Sequence, residues 1–187
     1  LTQSSYKKNK DIKDLSNHIL DRNLSTKEAK VWYNPKKNQV YVANRGTNKT
    51  AKDWTNNLIA TTGLYKNTQR YNNAKDLQLK VKAKYPNSKV VNLGHSQSAF
   101  ITKQLNDDGL TDEVINTNPA SLPSGRTNKS NEYTIKSRGD LVSIFHKNDK
   151  NTTEIDNKTS NPILEHKTDI LNRIPKQMIG TGMFIMN

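Results

Sequence analysis

The spacing of apolar positions changes several times along the chain, and each change predicts an element. Between Ser4 and Asn23, Ile12, Leu15, Ile19 and Leu20 recur at helical intervals, which predicts an opening helix. Lys30–Tyr33 then reads as a short strand and Gln39–Arg45 as a second. The turn cluster Asn34-Pro35-Lys36-Lys37-Asn38 between them makes the pair a hairpin. Thr50 or Asp53 is placed to cap a helix through Trp54, Leu58 and Ile59. Thr68 to Tyr85 predicts a longer helix, with Tyr71, Ala74, Leu77, Val81 and Tyr85 on one face and Pro86 as the stop.

The pattern then alternates. Lys89–Leu93 reads as a strand running into Gly94, and Gln97 to Leu105 as a helix with Phe100, Ile101 and Leu105 at helical spacing. Asp112–Asn118 reads as a strand and Ser121–Asn131 as a polar loop. Strands are expected at Glu132–Lys136 and Leu141–His146, a polar turn-rich stretch over Lys147–Pro162, and a short helix near His166. The tail Met178 to Asn187 reads as a final strand or a partner contact. With no internal repeat and no low-complexity linker, the 187 residues form one expected domain. Its class is α/β, a mostly parallel sheet flanked by helices.

Composition narrows the chemistry. Zero Cys excludes disulfide scaffolds, thiolate metal sites and cysteine nucleophiles. No apolar run approaches the ~18 residues of a membrane span. The first residue is Leu, and no apolar stretch follows a basic start, so no signal peptide is read and the chain is expected to be an excised domain or a processed product. Lys and Arg total 30 against 17 Asp and Glu, a net charge of +13. Much of it is compositional, since Lys and Asn together supply 49 residues and the lysines are scattered. No basic block interleaves with aromatics, so attraction to anionic surfaces is expected and specific nucleic-acid recognition is not. The five Asn-x-Ser/Thr sequons match the roughly four that chance supplies in so Asn-rich a chain. Arg138-Gly139-Asp140 is likewise read as a chance tripeptide.

One pentapeptide carries chemistry. Gly94-His95-Ser96-Gln97-Ser98 lies between a β-branched run and a helical pattern, the context of a nucleophile elbow. The tight turn needs small neighbours; Gly94 supplies one, and Ser98 adds a Cβ where glycine is common. Upstream stand Tyr41-Val42-Ala43-Asn44-Arg45-Gly46-Thr47 and Asp53-Trp54-Thr55-Asn56-Asn57-Leu58. Together these resemble the class 3 lipases, the fungal triacylglycerol lipase-like branch of the α/β-hydrolases. There a strand ends in Arg-Gly-Ser/Thr, Asp-Trp-x-x-(Asp/Asn)-Leu follows, and Gly-His-Ser-x-Gly comes about forty residues later. The resemblance covers about Val31 to Leu171. Lipase-like domains of this type also occur in proteins of large DNA viruses, which suits the Lys/Asn-rich composition and makes virion association one expectation.

The resemblance implies roles. Ser96 would be the nucleophile, and the N–H groups of Gln97 and Thr47 the oxyanion hole. Asp140, in Ser137-Arg138-Gly139-Asp140-Leu141-Val142, resembles the family's acid motif; Asp112, Asp149 and Asp156 match it less well. For the base, His166 in His166-Lys167-Thr168-Asp169-Ile170 resembles the terminal histidine segment. His146 competes, on the reading that it ends the strand that Asp140 begins. His95 lies inside the elbow and His18 precedes the core. The chain order Ser96, Asp140, His166 is that of the α/β-hydrolases. The expectation is a serine ester hydrolase acting on a lipid or small ester through an acyl-enzyme, with no metal or cofactor and with peripheral contact to anionic membranes. The segment after Thr47 is short and polar, which favours a small esterase or a phospholipase over a triglyceride lipase. The alternative is an inactive lipase-like structural or membrane-contact module, which Ser98 favours.

Overall fold

The computed structural model describes residues 1–15, 17–46 and 68–173. Among them one sheet contains seven strands in chain order: β1 (Ile19–Leu20), β2 (Ala29–Asn34), β3 (Gln39–Asn44), β4 (Lys89–Ser96), β5 (Glu113–Pro119), β6 (Glu132–Ser137) and β7 (Thr152–Ile155). The hairpin β2–β3 is antiparallel, with Val31 opposite Val42 and Trp32 opposite Tyr41, and β1 pairs antiparallel to its outer edge. From β3 to β7 every neighbour is parallel. The architecture is α/β, as the alternation in the sequence implies.

Alternating side chains divide the core in two. Val31, Val40, Val42 and Val90 face helix α1 (Gln69–Lys84), which buries Leu77 and Val81 against them. Helix α2 (Ser98–Asp107) covers the same face further along, where Thr102 Oγ1 donates to Asn116 Oδ1 at 2.7 Å and Asn106 Nδ2 to Glu132 Oε1 at 2.7 Å. Consecutive right-handed crossovers advancing in one direction put their helices on one face. On the opposite face Trp32, Tyr41, Val91, Leu93, Ile115 and Ile135 pack with Ile12 and Ile170, from segments at either end of the described chain. The modest apolar content is offset by buried amides that satisfy one another: Asn44 Nδ2 donates to Asn92 Oδ1, and Asn92 Nδ2 to Thr111 Oγ1, each at 2.9 Å.

Thr68 starts α1 as its sequence suggests, its Oγ1 accepting the Tyr71 N–H at 3.2 Å. Two expected elements are absent among the described residues. The Ser4–Asn23 helix is replaced by 3-10 turns at Thr2–Tyr6 and Asn9–Asp11 and by strand β1. Short polar side chains there bond the backbone instead: Ser5 Oγ donates to Thr2 O at 2.8 Å, and Asp14 Oδ1 accepts the Leu20 N–H at 3.0 Å. Leu15 and Ile19, assigned to an apolar helix face, are exposed. The Leu141–His146 strand is a turn. Asp140 Oδ1 accepts the Val142 N–H at 3.0 Å, and the His146 N–H reaches Ser143 O at 2.9 Å, so the backbone closes on itself and has no ladder to join. The edge position is taken by β7, inside the stretch expected to be polar and turn-rich. The helix expected through Trp54 and the tail Met178 to Asn187 lie outside the described residues.

Candidate active site

Strand β4 delivers Ser96 at its C-terminal end, and α2 begins two residues later. Ser96 has φ 59°, a left-handed conformation that costs a non-glycine residue energy and swings its side chain out of the strand's alternation. The β4–β5 register shifts between His95 and Ser96 to admit the turn. Gly94 is required: a Cβ there would come within 2.2 Å of Asn116 Oδ1. Ser98 solves its position differently from a glycine. Fully buried, its Oγ accepts the His95 N–H at 2.8 Å and has Asn44 O at 3.0 Å and His95 O at 2.9 Å as acceptors. The extra side chain ties the end of β3 to the elbow.

Three side chains named from the sequence meet here. His166 Nε2 lies 2.8 Å from Ser96 Oγ, and His166 Nδ1 lies 2.9 Å from Asp140 Oδ1. Asp140 is buried at the end of the turn after β6, and its Oδ1 is shared with the Val142 N–H. The same burial withdraws Arg138-Gly139-Asp140 from recognition as an exposed tripeptide. A carboxylate on Nδ1 favours the tautomer whose Nε2 lone pair faces the serine. Gln97, the cap residue of α2, has a backbone N–H with no intrahelical partner, one of the free donors at a helix start. Thr47 lies outside the described residues, but Gly46 before it is fixed. A Cβ on Gly46 would stand 2.8 Å from His95 O and 3.4 Å from Ser96 Cβ, so this segment passes directly over the elbow.

The competing candidates are engaged elsewhere. The His146 ring is 3.2 Å from Thr152 Oγ1, and burial, aided by Lys103 and Lys136, lowers its pKa to about 4. The His18 ring lies 3.3 Å from Asn34 Nδ2 and packs edge-on against Tyr41. Asp112 accepts the Val90 N–H at 2.7 Å, Asp149 accepts the Asn128 and Asn151 N–H groups, and exposed Asp156 pairs with Arg138 at 3.2 Å.

His95 holds the site from behind. Its Nε2 lies 2.8 Å from His166 O, which can only accept, so Nε2 carries the proton. Burial, and secondarily His166, lowers its pKa to about 4, so the ring is neutral and Nδ1 is bare. Tyr6, 2.7 Å away, therefore donates its O–H to Nδ1, and its oxygen accepts the Gly46 N–H at 3.2 Å. One directed chain thus links the segment leading to Thr47 with the backbone of His166.

Two further residues fix the histidine segment, and no motif announced either. Asn118, in a left-handed conformation at the end of β5 (φ 40°), donates to Glu165 O at 2.7 Å and accepts the Ser137 N–H at 2.8 Å. Glu165 is fully enclosed in helix α3 (Pro162–Glu165). It bonds the Ser137 hydroxyl, accepts the Lys158 and Thr159 N–H groups at 2.8 and 2.7 Å, and pairs with Arg173 at 2.9 Å. Burial would raise its pKa, but these donors outweigh it and lower it. Lys158-to-Arg173 spacing gave no sign of this cluster; only a lone Glu before the candidate His could have drawn attention.

Among the described residues no cluster of His, Asp and Glu is arranged to hold a metal ion, and no helix is long and apolar enough to cross a membrane. No family model matches the chain, and no curated protein does. Among solved structures it is similar to the Lip2 lipase from Yarrowia lipolytica, at 14% identity and a TM-score of 0.44, over 68% of this chain and 59% of that one. The chain thus matches less than two thirds of that lipase's length.

Proposed function

We propose that the protein is a serine ester hydrolase working through an acyl-enzyme, and the observation that carries this reading is the hydrogen-bonded chain Ser96 Oγ, His166, Asp140. His166 Nε2 takes the hydroxyl proton as Ser96 Oγ bonds to the ester carbonyl carbon, and the carbonyl oxygen becomes an oxyanion. Asp140 steadies the imidazolium without taking its proton. Collapse of the tetrahedral species breaks the carbon–oxygen bond of the leaving alcohol, which receives the proton from Nε2. Water then repeats the cycle and frees the carboxylic acid and Ser96. The Gln97 N–H, with that of Thr47, is assigned to the oxyanion. The substrate is a lipid or small carboxylic ester, and the +13 charge favours esters presented at an anionic surface.

Hydrolysis of short-chain p-nitrophenyl esters tests the reading. The parent turns them over, and Ser96→Ala lowers the rate by several orders of magnitude. Equal rates for the two proteins overturn the nucleophile assignment. A parent inactive on every ester supports the alternative of a lipase-like structural module, as in a virion component. The buried Ser98 hydroxyl speaks against that alternative, because it braces the elbow where a glycine would leave it untied.

A further inference from the structure

Three large apolar side chains are exposed within a single five-residue turn. Leu141 is 53% exposed, Ile144 58% and Phe145 51%, while Val142 among them is buried. The turn begins one residue after Asp140, and its underside is anchored. Ser121 N–H donates to Val142 O at 3.3 Å, and Val142 packs with Ala120, Phe100 and Leu122. Ala120 N–H in turn donates to Ser96 O at 2.9 Å, so one small cluster joins the turn to the elbow. A turn anchored to the elbow thus holds three large apolar side chains in solvent, and such a local concentration of exposed apolar groups marks an interaction surface.

The charge around the turn selects its occupant. Lys147 and Lys150 are exposed just beyond it, and their side chains make no ion pair among the described residues. Lys167, next to His166, is exposed as well. An apolar tip followed by free lysines in a chain of charge +13 matches an anionic lipid interface. The apolar groups enter the acyl boundary and the ammonium groups stay with the headgroups.

We propose that the Leu141–Phe145 turn docks the protein on anionic phospholipid bilayers, with Leu141, Ile144 and Phe145 inserted and Lys147 and Lys150 at the headgroups. This rests on the ester-hydrolase reading for its purpose: the docked turn sets Ser96 beside the lipid esters.

The full chain carrying Ser96→Ala, which leaves the vesicles intact, is sedimented with vesicles of phosphatidylcholine alone or mixed with phosphatidylglycerol. Binding is expected on the mixed vesicles only and weakens with salt. Ile144→Ser with Phe145→Ser reduces it about tenfold or more, as loss of two inserted apolar groups requires. Lys147→Glu with Lys150→Glu reduces it similarly. With Ser96 restored, the Ile144→Ser, Phe145→Ser protein hydrolyses a soluble short-chain ester at the parental rate. A Trp at 145 (Phe145→Trp) is quenched by brominated lipid in the mixed vesicles. Unchanged binding by the double serine variant, or no quenching, overturns the proposal. So does a Trp shielded without vesicles whose shielding is lost on dilution or on removal of Met178–Asn187, because a second copy or the chain's own tail then occupies the turn. Docking by a parent that hydrolyses no ester removes the enzyme reading and leaves the surface standing; hydrolysis without docking does the reverse.

Discussion

Tyr6 and His95, 89 residues apart in the chain, meet with the tyrosine hydroxyl 2.7 Å from His95 Nδ1. Their order of donors is dictated from the far end, where His166 O can only accept, and it runs back through Tyr6 to the Gly46 N–H. Removing the hydroxyl leaves both His95 Nδ1 and the Gly46 N–H unpaired in a buried place. Tyr6→Phe is therefore expected to cost about 1–3 kcal/mol of stability. It also lowers kcat for a short-chain ester roughly tenfold or more, with little change in KM, because a small displacement of the groups at the reacting centre weakens transition-state contacts first. Urea unfolding and steady-state kinetics measure the two effects. A Tyr6→Phe protein of parental stability and kcat would remove the chain's role.

The assignment of the base is checked by labelling. His166 reaches both Ser96 and Asp140, whereas His146 is bound to Thr152. His166→Ala is expected to abolish labelling by an active-site fluorophosphonate, and His146→Ala to leave most of it, scored by gel fluorescence. Strong labelling of His166→Ala, with loss in His146→Ala, reverses the assignment.

Ser98 gives a test in which the usual residue is the damaging one. Ser98→Gly and Ser98→Ala both remove the acceptor of the His95 N–H and free the Asn44 carbonyl. Each is expected to lower stability, by about 1–3 kcal/mol for an orphaned buried N–H. Ser98→Gly adds the backbone entropy that glycine loses on entering a helix. Thermal unfolding of the two variants ranks them, and a stabilised Ser98→Gly would contradict the bracing role.

Acid should loosen the fold through its neutral histidines. His95 has its folded pKa lowered to about 4, against about 6.5 when unfolded, so the unfolded chain binds a proton that the folded one refuses. The stability it contributes is complete above pH 6.5 and falls between pH 6.5 and about 4, with a slope on the order of 1 kcal/mol per pH unit. His146 behaves alike. Tm measured across this window is expected to drop, and less steeply in His146→Gln. A Tm independent of pH there would mean that both rings titrate as if exposed.

Much of the architecture was legible in the sequence, because strand and helix periods are local properties. The apolar, β-branched and aromatic residues of β2 and β3, the Thr68 start and Pro86 stop of α1, and the β-branched run entering Gly94 specify their elements within a few residues. The motif chemistry was equally local, so Ser96, Asp140 and His166 could be singled out by their neighbours. The amino-terminal segment was not legible, since its helical spacing competes with Ser and Asp side chains that bond the backbone in 3-10 turns. Leu141–His146 misled for a related reason: its apolar letters suit a strand, but the Asp140 carboxylate folds the backbone into a turn.

Sequence alone determined an α/β chain of net charge +13, and it offered Ser96 with a short set of candidate acids and bases. Only the tertiary structure decided which histidine reaches the serine, that His95 is a neutral strut, and that Asn118 and Glu165 clamp the His166 segment. Those outcomes depend on distances between residues far apart in the chain and on burial, which sets both donor order and pKa. Neither quantity exists until β4, β5 and β6 lie side by side and the chain returns across their ends.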